Sequence, residues 1–95
     1  MKDTTAIVQI GNTDNKLSQH DWASFCDDVA RLVSRQAKQV HFFGSAAGHE
    51  PLQNTCWVVE IPTDNVAELR STLTEIRTKY KQESAALTIG DTEFV

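Results

Sequence analysis

The sequence predicts an α+β domain of the ferredoxin-like class, βαββαβ in chain order, with a four-stranded antiparallel sheet ordered 4-1-3-2 and two helices on one face. Three observations carry this. Short β-branched segments alternate with stretches of helical period. Each helical stretch has one apolar stripe, which a sheet must cover. Right-handed crossovers then leave the split βαβ arrangement as the simplest solution.

The first strand is read at Thr4–Ile10, rich in β-branched residues and closed by Gly11. Ala6, Val8 and Ile10 face one way, and Thr5, Ile7 and Gln9 the other. Residues 11–17 (GNTDNKL) are turn-rich. Ser18 and Asp21 then open a helix expected to end near Gln36, in a variant of the capping box. Its stripe is Trp22, Phe25, Cys26, Val29, Leu32 and Val33. Val40–Gly44 is the second strand, and residues 45–54 form a loop containing Gly48 and Pro51. Thr55–Ile61 is the third, with Trp57, Val59 and Ile61 inward and Cys56, Val58 and Glu60 outward. Pro62 stops it, and Asn65 with Glu68 is expected to cap a second helix running to about Gln82. The stripe of that helix is Val66, Leu69, Leu73, Ile76 and Tyr80. Ala85–Ile89 is the fourth strand, with Thr92–Val95 extending it or forming a short hairpin.

The 95 residues form one domain, 1–95, whose size supports one modest core. No apolar run reaches the ~18 residues of a membrane helix. The N-terminus lacks the apolar stretch of a signal peptide, so a cytoplasmic location is expected. Cys26 and Cys56 have neither CxxC nor zinc-like spacing, so they are read as reduced thiols, and no metal or cofactor is expected. The net charge of −4 opposes binding to a phosphate backbone and suits a basic protein partner. Arg31, Arg35 and Lys38, and Arg77, Lys79 and Lys81, read as solvated helix ends placed at opposite poles of the domain.

Two candidate surfaces follow from the topology. The long connections meet at one rim, which gathers Asp14, Lys16, His49, Gln53, Asn54 and Gln82, with Asn12, Glu50, Glu83 and Ser84 beside them. The helix-free sheet face carries Ile7, Gln9, His41, Phe43, Val58 and Glu60, with Cys56, Ala86 and Thr88. No third layer is expected to cover it. His41, Cys56 and Glu60 form the weak catalytic candidate, a nucleophile with a base and an orienting group.

The element order, with Val8-Gln9-Ile10-Gly11-Asn12, resembles the RNA-recognition motif, whose first strand carries an aromatic residue followed by Gly-Asn. The resemblance implies RNA bases stacked on the sheet. The stacking aromatic of that family falls on Gln9 here, and Thr55–Glu60 matches the third-strand signature loosely. The leading expectation is a non-catalytic protein-interaction module of docking, immunity or inhibitor type, whose partner is another protein or a second copy. The alternative is a dimeric ferredoxin-like enzyme or small-ligand-binding protein with its site on the open face. An RNA-binding domain is the third.

Overall fold

The computed structural model describes residues 2–12, 14, 16–46 and 53–95. The elements are β1 (Asp3–Asn12), α1 (Gln19–Gln36), β2 (Gln39–Ala46), β3 (Gln53–Pro62), a 3₁₀ turn (Thr63–Asn65), α2 (Val66–Lys79) and β4 (Ala86–Gly90). The sheet is antiparallel throughout, in the order β2-β3-β1-β4, as the sequence predicted.

Strand alternation sets the core. β1 pairs with β3 over its whole length, Ala6 opposite Val59 and Val8 opposite Trp57. Even positions of β1 and odd positions of β3 face the helices, so Ala6, Val8, Ile10, Trp57, Val59 and Ile61 are all buried. From α1 come Trp22, Phe25, Val29, Leu32 and Val33, and from α2 Leu69 and Leu73. Each large apolar side chain buried here contributes about 1.5–3 kcal/mol.

Local signals set the helix ends. Ser18 Oγ accepts the Asp21 N–H at 3.1 Å, which caps α1 as expected. After Ala37 the chain is handed directly to the sheet, the Lys38 N–H donating to the Glu60 carbonyl at 2.8 Å. The second helix departs from expectation at both ends. A 3₁₀ turn precedes it, and Asn65, in helical backbone geometry, makes no side-chain cap. It ends at Lys79, before Gln82, because Lys81 takes a left-handed φ of 57°. The Gln82 N–H then reaches the Arg77 carbonyl (2.9 Å) and the Lys81 N–H the Thr78 carbonyl (3.0 Å). These two bonds make a Schellman stop, a position usually held by glycine.

Two further differences concern the open face. The β2–β3 register slips between Val40 and Phe42, so His41 is a bulge residue. Beyond it the side-chain alternation reverses. Phe42, opposite Val58, points to the open face, while Phe43, opposite Trp57, points to the helix side. Phe43 was expected on the open face. Instead its ring lies 5.5 Å from that of Trp57. The Phe42 ring lies over Gly44, where an added Cβ would meet it at 2.6 Å.

The C-terminal residues form no strand. After Gly90 they cross the lower end of the open face, where Thr92 bonds the Thr5 hydroxyl and the Phe94 ring packs edge-on at 5.6 Å from His41. The open face is therefore partly covered by the chain itself. None of the helices among the described residues is long and apolar enough to cross a membrane.

Candidate functional site

The upper end of β1 outruns β4. Their ladder stops at Gln9 opposite Ala86, whereas β1 continues to Asn12. The chain entering β4 diverges there, and a cleft of about 400 Å³ opens between the two. One wall is Gln9, Ile10 and Gly11 of β1, and the other is residues 81–86. Asp14 and Lys16 stand over it from the β1–α1 connection, with Asn54 at the start of β3. Lys16 Nζ is 3.7 Å from Asp14 and 3.9 Å from Glu83, with all three side chains largely exposed. Exposed pairs at such distances hold one another weakly. Both signs of charge are thus available at the mouth of the cleft.

The loop that presents Asp14 and Lys16 is anchored from below by buried amides. Asn12 Oδ1 accepts the Leu17 N–H (3.0 Å), and its Nδ2 donates to the Leu17 carbonyl (3.1 Å) and to Gln53 Oε1 (3.1 Å). Gln53 and Gln19 exchange a reciprocal amide pair at 2.8 and 2.9 Å. Gln53, expected as a rim contact, is only 2 % exposed and serves this network instead. Low dielectric strengthens such bonds and makes each unpaired member costly.

A second cleft, of about 440 Å³, lies on the helix side, lined by Lys16, Leu17, Asp21, Lys79, Tyr80, Lys81 and Gln82. Lys16, Lys81 and Gln82 line both clefts. The ridge they form is tied to α1 through Asp28, which accepts from the Tyr80 hydroxyl at 2.7 Å and from Lys79 at 3.1 Å. The Tyr80 hydroxyl, and after it Lys79 and Arg31, hold the Asp28 carboxyl below its ordinary pKa. Burial, and then Asp28, push the Tyr80 phenol above its own.

The rest of the open face divides along its length. At the lower end Thr5, Glu60 and His41 form a row across three strands, Thr5 Oγ1 donating to Glu60 Oε1 at 2.7 Å and His41 Nε2 lying 3.1 Å from the same oxygen. The Thr5 hydroxyl first, then His41, lower the Glu60 carboxyl pKa. Cys56 does not join them. It lies opposite Gln9 and Gly44, four residues from Glu60 along β3, which is about 13 Å of strand. The candidate catalytic trio is therefore not assembled. Cys26, the other thiol, is half-buried against Thr55, and burial pushes its pKa up.

Of the expected contact residues, Asp14, Lys16, Asn54, Gln82 and Gln9 converge on the first cleft. Ile7 and Val58 are paired, half-buried neighbours at mid-face, and His41 and Glu60 lie at the opposite end. His49 lies outside the described residues. Lys81 was missed. It read as part of a solvated helix end because no glycine marks the Schellman stop that turns it into the cleft wall.

No family model matches the chain, and no curated protein matches it. Among solved structures the chain is similar to an aspartate kinase from Clostridium acetobutylicum, described as an important allosteric enzyme for industrial amino acids production. The TM-score is 0.57 at 12 % identity, over 93 % of this chain and 18 % of the kinase. The likeness shows the ferredoxin-like fold, and the chain spans less than a fifth of that enzyme.

Proposed function

We propose that this domain binds a small zwitterionic metabolite, of the size of a free amino acid, in the 400 Å³ cleft, and that it acts as a regulatory module. The observation that carries the reading is the convergence of Lys16 and Lys81 with Asp14 and Glu83 on a cleft walled by a strand edge. An α-carboxylate complements the two ammonium groups, and an α-ammonium complements the two carboxylates. Beyond Gln9, the side of β1 turned away from β3 lies outside the β4 ladder and offers backbone partners for orientation. The volume falls within the range of small-molecule sites. Lys81 supports the reading from another direction. A non-glycine residue held at positive φ costs about 1–2 kcal/mol, and such outliers concentrate at ligand sites. The fold shared with part of an allosteric enzyme fits a sensing role.

The test is a thermal-shift and calorimetry screen against the free amino acids. A cognate ligand at a hundred times its dissociation constant adds about 2.7 kcal/mol. For a domain of this size that raises Tm by roughly 10–20 °C. Lys16→Ala and Asp14→Ala each weaken the response at least tenfold while leaving the ligand-free Tm within a few degrees. A flat response across the panel at millimolar ligand overturns the reading.

A further inference from the structure

We infer that β2 is a self-pairing edge, through which two copies of this chain join their sheets antiparallel about a twofold axis at the His41 bulge. This goes beyond the ligand reading and does not depend on it.

The strand lies at the edge of the sheet, and its eight residues, Gln39–Ala46, include no Asp, Glu, Lys or Arg. Edge strands are usually blunted by such charges or by proline. Here the strand is instead rich in exposed apolar side chains: Val40 is 50 %, Phe42 58 % and Phe43 57 % exposed. These are half of the exposed large apolar residues among those described. An uncharged strand also suits a second copy of a chain with a net charge of −4, because pairing it with itself opposes no like charges.

The bulge selects the register. Residues directly opposite in an antiparallel pair put their side chains on the same face. On β2, Val40 and Phe43 point to the helix side. Gln39, Phe42 and Gly44 point to the open side, and so does His41, through its contact with Glu60. An unbulged strand paired with itself would place residues of equal parity opposite one another. Here the reversal at His41 demands opposite parity across the twofold. Setting Val40 against Phe43 of the second copy matches faces throughout: His41 then meets Phe42, and Gln39 meets Gly44. Moving the register by two residues either way sets a helix-side residue against an open-side one, Val40 against His41 or Phe42 against Phe43. The two bulges fall opposite each other, so the irregularity that weakens pairing with β3 is matched across the new interface. The product is an eight-stranded sheet with all four helices on one face, an isologous assembly.

Sedimentation equilibrium of the full chain from about 1 to 200 μM tests the association. The expected result is a reversible shift from the 10.6 kDa monomer to twice that mass, with midpoint on the order of tens of micromolar. Val40→Lys places a charge on the edge and weakens association at least thirtyfold, with far-UV circular dichroism confirming that the variant is folded. Register is read separately, in chains carrying Cys26→Ser and Cys56→Ser. Mixing the Val40→Cys chain with the Phe43→Cys chain gives a disulfide heterodimer under mild oxidation, and either chain alone gives at least tenfold less. A monomer at every concentration overturns the proposal. So does a dimer that Val40→Lys leaves intact, which places the contact on another face, or cross-linking as efficient in the single chains as in the mixture.

Discussion

Removing the Asn12 side chain tests whether the rim is built from below. Asn12 is fully buried and makes three hydrogen bonds, two to the Leu17 backbone and one to Gln53. At roughly 1 kcal/mol each, Asn12→Ala costs about 3 kcal/mol, since the Leu17 groups lose their partner and no hydroxyl or amide replaces it. A 95-residue domain holds roughly 5–14 kcal/mol in all, so this is a large fraction. The expected fall in Tm is roughly 12–24 °C. Urea unfolding followed by the fluorescence of Trp22 and Trp57, both in the core, measures it. Asp14→Ala, on the exposed loop above, should change stability by less than about 0.5 kcal/mol. A loss below about 1 kcal/mol for Asn12→Ala would refute the claim that buried amides hold the loop.

Three further outcomes are expected. Lys81→Gly relieves the left-handed backbone and stabilises by about 0.5–1 kcal/mol in urea, while lowering affinity for any ligand of the first cleft; destabilisation would contradict the Schellman assignment. Phe25→Ala, at a fully buried site, costs about 3–5 kcal/mol, whereas Phe94→Ala on the exposed tail costs under about 0.5 kcal/mol, both read by chemical denaturation. Asp28 has its folded pKa depressed, chiefly by the Tyr80 hydroxyl. Its contribution is therefore complete above the unfolded value of about 3.9 and is lost as pH falls through the lower folded value. Thermal melts between pH 5 and 2 should show a shallower acid loss for Asp28→Asn than for the parent chain, and equal slopes would remove Asp28 from the account.

The residues that fixed the fold are those with strong local periodicity. Trp57, Val59 and Ile61 alternate with Cys56, Val58 and Glu60, and the burial of the first three is what that alternation requires. The stripe from Trp22 to Val33 and the Ser18 cap likewise followed from spacing and side-chain chemistry alone. Local signals failed where one residue broke the period. A single bulge at His41 sent Phe43 to the helix side and Phe42 to the open face, and nothing in VHFFG distinguishes a bulged strand from a regular one. Lys81 occupies a position whose usual marker is glycine, so the helix stops at Lys79, three residues before the end that the sequence predicts.

What the chain settled unaided was the element order and the inward face, because period-2 and period-3.6 burial are properties of neighbouring residues, and the sheet order followed once right-handed crossovers were imposed on that element order. Which polar residues were buried and which came to line the cleft was decided in three dimensions. Gln53 and Asn54 are adjacent, yet the pleat buries Gln53, which pairs its amide with that of the more exposed Gln19, and sets Asn54 in the lining of the cleft. The same distance argument joins His41 to Glu60 and leaves Cys56 remote. Such partnerships depend on register between segments far apart in sequence, and register is set by how the whole sheet packs on its helices.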